Sequence, residues 1–250
     1  MYREEIIQIN NKTYQYIDTK IGKKTIFILH GMAGNKEAMT YFTHELWENF
    51  RCIYIDLPGH NNISCENFNN SKDFALYITE FINFMKLENY GILGFSFGGG
   101  IAVETGKLVG NKIPICTWAA NITGKTQLLP KILVNVGLVV PKVIWESPYL
   151  NKIINITGIN FSKEDFICFK KTDKRIFKKG IRLLEEKIDI PKGMILMAIM
   201  DPKDIFVKPT SQNKDLNLHL VEYGGHFGKR ESVEESLKKI EDFFNKAITL

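Results

Sequence analysis

A serine flanked by glycines is the residue of this sequence best placed to do chemistry. Ser96 stands at the centre of residues 94–98 (GFSFG), after an apolar run at 90–93 and before a helical pattern. Glycines lack Cβ, so a strand and a helix can approach closely and leave the Ser96 hydroxyl exposed on a tight turn. Phe97 would be the first residue of the helix that follows Ser96, and its N–H could bind an oxyanion. A turn that needs its glycines only for packing is the alternative.

A nucleophilic serine needs a base, and His226 is the best candidate. It lies within residues 224–228 (GGHFG), between the last predicted strand and the last predicted helix. Glycines on both sides leave this loop free to place an imidazole at the sheet edge. A solvent-exposed turn histidine is the alternative. Of the other histidines, His30 is more typical of a hydrogen bond within its loop, His60 of a loop contact near the site, and His44 and His219 of structural roles.

The acid that would orient the histidine stays open between two aspartates. Asp204 lies in the loop beyond an apolar strand at 194–200, whereas Asp201 stands at the strand end, where an aspartate can instead cap a turn. A carboxylate is needed because it holds the imidazole in the correct tautomer and stabilises the imidazolium. We favour Asp204, keep Asp201 as the alternative, and note Asp56 after an earlier strand as a third possibility.

Short apolar runs alternate with longer amphipathic ones, which predicts the elements that would position these residues. Such alternation indicates βαβ units and a mostly parallel sheet with helices on both faces, the α/β class. The predicted strands are 5–9, 13–17, 24–29, 52–55, 90–95, 114–120, 194–200 and 216–222, and the predicted helices are 35–50, 71–86 with Ser71 as N-cap, one that follows Gly98, and 231–248.

The interval 122–190 breaks this rhythm and predicts a helical cap inserted into a core formed by 1–121 and 191–250. Long insertions in compact domains are usually functional, although the cap could simply protect the sheet. Apolar residues crowd 128–145 and, together with Phe95 and Phe97, suggest an apolar acyl pocket. The same residues could equally serve to bury the cap against the core, and the two roles are compatible.

Composition excludes several other classes of protein. The 250 residues are 44% hydrophobic and 24% charged, as in globular rather than disordered or fibrous chains. A net charge of +5 is spread along the chain, so we expect no nucleic-acid partner. The 4 cysteines form no metal-like or disulfide-framework pattern. The longest apolar stretch, 132–143, is short and interrupted, and no signal peptide is visible, so we expect a cytoplasmic protein without stable membrane insertion.

Taken in order, residues 29–34 (LHGMAG), 56–60 (DLPGH), 94–99 (GFSFGG), Asp204 and 225–227 (GHF) resemble an α/β-hydrolase-fold serine hydrolase. The resemblance is to the carboxylesterase, thioesterase and haloperoxidase-like branch and covers nearly the whole chain. It implies a mostly parallel sheet of about eight strands flanked by helices, with the order Ser, Asp, His in the chain. A serine at the nucleophile position argues against the dehalogenase and epoxide-hydrolase branches, which use aspartate.

The same resemblance implies roles for single residues. Ser96, His226 and Asp204 would form a catalytic triad, the Met32 and Phe97 N–H groups an oxyanion hole, and neither a metal nor an organic cofactor would be needed. The expected reaction is hydrolysis of a small-molecule ester or thioester with an apolar acyl group through an acyl-enzyme. An acyltransferase, a C–C hydrolase or a non-catalytic ligand-binding protein are the alternatives. One departure matters: the family often has glycine where Asp201 stands, which keeps the acid open.

Overall fold

One sheet of eight strands forms the centre of the molecule. The computed structural model describes residues 3–110, 112–120, 122, 168, 171–204, 206–207, 217–226 and 232–249. The strands are β1 Arg3–Ile9, β2 Lys12–Asp18, β3 Lys24–Leu29, β4 Phe50–Ile55, β5 Tyr90–Phe95, β6 Ile115–Trp118, β7 Leu196–Met200 and β8 Asn217–Leu220. Their spatial order is β1-β2-β4-β3-β5-β6-β7-β8, and all eight coincide with predicted strands to within a few residues.

The sheet is parallel except at its first edge. β1 and β2 form an antiparallel hairpin, and β2 pairs antiparallel with β4, whereas every pairing from β4 to β8 is parallel. Asn10 and Asn11 adopt φ values of 47° and 63° in the hairpin turn, the conformation that asparagine tolerates best among non-glycine residues. β3 is buried along nearly its whole length, as expected for a parallel strand covered on both faces.

Helices cover both faces of this sheet. They are α1 Lys36–Thr43, α2 Ser71–Met85, α3 Phe97–Val109, α4 Lys174–Leu184 and α5 Glu234–Ala247. Phe81 of α2 and Ile101 of α3 belong to one buried cluster, whereas Met39 of α1 and Phe244 of α5 belong to the other. The predicted fold class, a mostly parallel α/β sheet of eight strands flanked by helices, is therefore confirmed.

Two helix ends differ from the sequence-based expectation. The predicted helix 35–50 ends at Thr43 and continues as a 3₁₀ segment, His44–Glu48. There Trp47 Nε1 donates a 2.6 Å hydrogen bond to the Tyr54 hydroxyl of β4, a tertiary contact that the helical pattern could not reveal. Phe50 already belongs to β4.

The N-cap of α2 is Asn70, and Ser71 is the first helical residue. The Asn70 side chain accepts from the Asp73 N–H at 2.9 Å, and Asp73 accepts from the Asn70 N–H at 3.2 Å. This reciprocal capping box satisfies two otherwise unpaired donors. Asparagine and serine are about equally good caps, so adjacency alone could not decide between them.

Most of the predicted cap, including the apolar residues at 128–145, lies outside the described residues, so the division into core and cap stays a prediction. The described part contains α4, and residues 171–173 before it are not helical. α4 is attached to the loop after β4. The Lys179 ammonium donates to three carbonyls of that loop, those of Cys65, Glu66 and Phe68, each at 3.0 Å.

Across the described ranges, no helix combines the length and the apolar character that crossing a membrane requires.

Candidate active site

Three side chains from separate parts of the chain meet at the carboxyl edge of the sheet. Ser96 follows β5, Asp204 lies in the loop after β7, and His226 lies in the loop after β8. Ser96 Oγ is 2.8 Å from His226 Nε2, and His226 Nδ1 is 2.8 Å from Asp204 Oδ2. Parallel strands end at the same edge, so residues that follow different strands can converge there. The structure thus brings together the serine, histidine and favoured aspartate of the sequence analysis.

The serine sits on a strained backbone. Its φ of 51° and ψ of −115° lie in a region that costs a non-glycine residue about 1–3 kcal/mol. Two hydrogen bonds hold the turn: the Ser96 N–H donates to Trp118 O of β6 at 2.8 Å, and the Gly99 N–H donates to Ser96 O at 3.0 Å. The residue as a whole is 9% exposed. A hydroxyl held in this way is aimed at His226.

Close backbone contacts explain the glycines around Ser96. A Cβ at Gly94 would lie 2.3 Å from Gly98 O, and a Cβ at Gly98 would lie 2.7 Å from the carbonyl oxygens of Leu29 and His30. Real Cβ atoms do not approach backbone atoms so closely. The end of β5, the start of α3 and the end of β3 therefore meet at distances that exclude any side chain at these two positions.

Asp204 is fixed by hydrogen bonds to both of its carboxylate oxygens. Oδ1 accepts from the Phe206 and Val207 N–H groups at 2.7 and 3.0 Å, and Oδ2 faces the His226 ring. The ionised carboxylate can only accept, so His226 Nδ1 carries the proton and Nε2 presents its lone pair to the Ser96 hydroxyl. This polarity is the one that lets an imidazole remove a proton from a serine.

Asp201 holds the histidine loop instead of the histidine ring. Its carboxylate accepts from the N–H groups of Lys203 at 2.7 Å, Tyr223 at 2.8 Å and Gly225 at 2.9 Å. Burial opposes ionisation of Asp201, but these backbone donors outweigh it and the pKa of the carboxyl lies below its ordinary value. Asp201 thus ties the end of β7 to the segment that carries His226, a role that the sequence analysis did not assign.

Two aromatic rings pack near the imidazole. Phe206 stacks on the His226 ring with centroids 4.7 Å apart, and Phe95 lies at 5.8 Å in a tilted arrangement. Such contacts restrict the ring to the orientation that reaches both the serine and the aspartate. No local pattern in the sequence indicates the stacking by Phe206, because the contact depends on how the loop after β7 turns back over the site.

The two predicted oxyanion donors belong to segments that approach the serine. Phe97 is the first residue of α3, so its N–H has no acceptor within the helix. Met32 follows Gly31, where an added Cβ would lie 3.1 Å from Ser96 Cβ. The Gly34 N–H donates to Gly31 O at 3.0 Å, which closes a turn around Met32. The segment that carries Met32 and the start of α3 therefore both lie beside Ser96.

Two buried histidines contact this turn and do not contact the serine. His30 Nδ1 is 2.8 Å from Gly31 O, and His30 Nε2 accepts from the Leu57 N–H at 2.9 Å. His60 Nε2 accepts from the Ala33 N–H at 3.2 Å, and His60 Nδ1 is 3.1 Å from Leu57 O. Both ring nitrogens of His30 are occupied by backbone groups, in agreement with its predicted loop role.

Asp56 belongs to a buried ion cluster below the turn. Lys36 is 1% exposed, and its ammonium lies 2.8 Å from Asp56, 2.8 Å from Glu37 and 2.9 Å from Glu4. Burial disfavours the ammonium, but these three carboxylates outweigh it and hold the pKa of Lys36 above its ordinary value. Asp56 is thereby engaged with Lys36, and Asp204 alone of the three candidate acids contacts His226 in the described residues.

Within the described ranges, no group of three or more His, Cys, Asp or Glu side chains is arranged to hold a metal ion.

No protein-family model matches the chain. A Mycoplasma pneumoniae protein, named provisionally as esterase/lipase 1, is 29% identical over 161 residues. That match covers 61% of this chain and 58% of the relative, so the chain corresponds to less than two thirds of the relative's length.

Solved structures match over nearly the whole chain. A mutant of the N-acyl homoserine lactonase AidH, bound to N-hexanoyl homoserine, superimposes with a TM-score of 0.81 at 14% identity, covering 100% of this chain and 98% of the lactonase. The esterase EaEST from Exiguobacterium antarcticum has a TM-score of 0.70 at 17% identity, with 98% and 99% coverage. The epoxide hydrolase CorEH has a TM-score of 0.72 at 16% identity, also with 98% and 99% coverage. At identities this low, the structural matches show a shared fold alone.

The close approach at the serine turn generates a test of stability. Gly98→Ala places a Cβ against the carbonyls of Leu29 and His30. Gly100 lies in the same helix, and a Cβ there comes no nearer than 3.5 Å to its closest neighbour, Ile188. We expect Gly98→Ala to lower the free energy of unfolding by about 1–3 kcal/mol or more. Gly100→Ala should leave it unchanged or raise it by up to about 1 kcal/mol, because alanine favours helix. Urea unfolding measures both, and equal values would contradict the packing described.

The buried histidines predict a loss of stability in acid. Burial, followed by the nearby Lys36 charge, lowers the pKa of His30 to about 4. Burial and His30 lower the pKa of His60 to about 3, although Asp56 opposes this shift. Both imidazoles ionise near 6.5 in the unfolded chain, so below that pH the unfolded state binds more protons than the folded state. Stability should therefore fall as the pH drops from about 6.5 to about 4, by up to about 1.4 kcal/mol per pH unit for each histidine.

Urea unfolding at about pH 7 and about pH 5 measures this loss. His60→Gln cannot titrate and should show a smaller loss between the two pH values than the unmodified protein. His44→Gln, a change at an exposed histidine, should show the full loss. An undiminished loss in His60→Gln would contradict the assignment of His60 as neutral in the folded state.

Proposed function

We propose that this chain, whose fold is that of the α/β hydrolases, is a serine hydrolase that cleaves a carboxylic ester. The observation that carries the proposal is the continuous chain of hydrogen bonds from the Ser96 hydroxyl through His226 to Asp204. The serine sits on a strained turn with backbone donors beside it. A nucleophile, a base, an acid that orients the base and an oxyanion site are the parts that acyl transfer requires.

The reaction follows from the polarity of these groups. His226 Nε2 takes the Ser96 proton while Oγ attacks the ester carbonyl, and the carbonyl π electrons move onto oxygen. The Met32 and Phe97 N–H groups stabilise that oxyanion, and Asp204 stabilises the imidazolium. When the carbon–oxygen ester bond breaks, His226 returns the proton to the departing alcohol and leaves an acyl-enzyme. Water, deprotonated by the same histidine, releases the carboxylic acid and restores Ser96.

The comparisons support ester cleavage as the reaction class. The relative is named as an esterase or lipase, and two of the structural neighbours are named as a lactonase and an esterase. A lactone is a cyclic ester, so these names share the same bond chemistry. The third neighbour is named as an epoxide hydrolase, and an epoxide is not an ester.

We further propose an apolar acyl group in the substrate. In the described part of the site, Phe206 and Phe95 pack near the His226 ring, whereas the Phe97 ring packs on Phe74. Acyl thioesters present the same carbonyl and are included as substrates. Transfer of the acyl group to another alcohol and cleavage of a C–C bond would use the same residues. Product analysis separates these reactions from hydrolysis.

The first experiment tests the nucleophile. p-Nitrophenyl esters and acyl-CoA thioesters of increasing acyl length are assayed with the unmodified protein and with Ser96→Ala. Loss of a serine nucleophile typically lowers kcat by about 10⁴-fold or more, and we expect a loss of that size. Ser64→Ala, at an exposed serine, is the matched control and should retain full activity.

A fluorophosphonate probe gives an independent reading of the same proposal. It should label the unmodified protein and Ser64→Ala but not Ser96→Ala. Folded protein that is neither labelled nor active would favour a non-catalytic ligand-binding protein. Equal ester hydrolysis by Ser96→Ala and the unmodified protein would refute the mechanism.

The second experiment separates the two aspartates. Asp204→Asn removes the charge that fixes His226 and should lower kcat by about 10³–10⁴-fold with little change in stability. Asp201→Asn turns an amide N–H₂ toward backbone donors, so it should lower the free energy of unfolding by about 1–3 kcal/mol and affect kcat less. Steady-state kinetics and urea unfolding measure both quantities. A larger loss of kcat in Asp201→Asn would identify Asp201 as the catalytic acid.

A further inference from the structure

We infer that His30 and His60 are positioning residues that hold the Met32 N–H toward Ser96, and that they do so as a pair of neutral imidazoles sharing the backbone of Leu57. The inference rests on the proposed function, since it concerns the second oxyanion donor. It assigns roles to two buried histidines that neither provide the base nor contact the acid.

The first contact fixes the plane of the donor peptide. The Met32 N–H and the Gly31 C=O belong to one peptide unit, which is planar and points its N–H opposite to its C=O. Gly31 O accepts from the Gly34 N–H at 3.0 Å and from His30 Nδ1 at 2.8 Å. Holding this oxygen from two directions fixes the direction of the Met32 N–H on the other side of the same plane.

The second contact fixes the neighbouring peptide. Gly31 to Gly34 is a four-residue turn in which Ala33, at the third position, has a φ of 61°. That sign belongs to turns whose central peptide is flipped relative to the common type I turn, and it is unfavourable for a residue other than glycine. The central peptide carries the Ala33 N–H, which His60 Nε2 accepts at 3.2 Å. Loss of this acceptor would allow the peptide to flip.

Both imidazoles are attached to the same residue of the loop after β4. His30 Nε2 accepts from the Leu57 N–H at 2.9 Å, and His60 Nδ1 is 3.1 Å from Leu57 O. The two rings contact each other at 4.5 Å in a T-shaped arrangement. Leu57 is fully buried. The two histidines therefore anchor the turn that carries the oxyanion donor to the core.

These contacts require one protonation state. In each ring Nδ1 faces a carbonyl and must donate, whereas Nε2 faces a backbone N–H and must accept. A second proton would place an N–H against an N–H. Both rings are about 1% exposed, Lys36 adds a positive charge nearby, and Asp56, 3.8 Å from His30 Nε2, is itself paired with Lys36. The surroundings thus keep both imidazoles neutral.

Paired substitutions at His60 test the inference. His60→Gln supplies an amide oxygen that can accept from the Ala33 N–H, whereas His60→Leu has a similar size and no acceptor. We expect His60→Leu to lower kcat by about 10- to 100-fold with KM nearly unchanged, because a misplaced oxyanion donor weakens only transition-state binding. His60→Gln should recover most of that kcat. His44→Leu, at an exposed histidine, should match the unmodified protein.

A transition-state mimic shows whether the oxyanion site is the cause. The affinity for an alkyl trifluoromethyl ketone, which forms an oxyanion on Ser96, should fall in His60→Leu by the same factor as kcat. Equal kcat for His60→Leu and the unmodified protein would overturn the inference and leave the proposed function intact. Absence of activity and of fluorophosphonate labelling in the unmodified protein would instead refute the proposed function.

The protonation states of the histidines can be measured on the unmodified protein, so this test does not depend on the activity of the variants. Nitrogen-15 NMR of the imidazoles should show, besides His226, two histidines in the neutral form protonated at Nδ1, and the signals of these two should be unchanged between about pH 8 and about pH 5. Assignment of these signals to His30 and His60 would follow from their loss in His30→Asn and His60→Gln. Finding either ring protonated at Nε2, or charged over that range, would overturn the inference.

Discussion

The site depends on one constraint, the close approach of three backbone segments at the end of β5. Ser96 adopts a strained backbone conformation because the end of β5, the start of α3 and the end of β3 converge within contact distance, and only glycine fits at 94 and 98. The strain is maintained by the sheet, since the Ser96 N–H continues the hydrogen bonding of β5 to β6. Packing in the core thereby fixes the backbone that presents the Ser96 hydroxyl to His226.

The charges around the serine are arranged so that each has one task. Asp204 turns one oxygen to His226 and the other to two backbone donors, and Asp201 gives its oxygens to backbone donors of its own turn and of the histidine loop. Lys36 and the carboxylates paired with it lie next to the loop that follows β3. Charged groups that are already hydrogen-bonded need little reorganisation during a reaction, which is the physical basis of electrostatic preorganisation.

Local signals made much of this arrangement predictable. The glycines around Ser96 and His226 mark turns, and the apolar runs before them mark strands, so the carboxyl edge of a parallel sheet follows from sequence. The sequence favours Asp204 and leaves Asp201 as an alternative, because both follow the same strand and only the course of the loop decides which one reaches His226. Tertiary contacts likewise decide the stacking of Phe206 and the end of α1 at Thr43. The helix N-cap of α2 is a choice between two near-equal neighbours, Asn70 and Ser71.

The two loops that follow β3 and β4 differ from the histidine loop in how they are stabilised, and the difference has a chemical reason. Asp201 can hold the His226 loop as a charged acceptor because its three partners are all N–H donors. At the turn around Met32, each histidine holds one group of the turn and one of Leu57, a carbonyl at Nδ1 and an N–H at Nε2, and a neutral imidazole can donate from one atom and accept at another within a rigid ring. A carboxylate could satisfy the N–H alone, and an ammonium the carbonyl alone. Neutral histidines therefore suit this turn, and burial of both rings, with the Lys36 charge near His30, keeps them in that form.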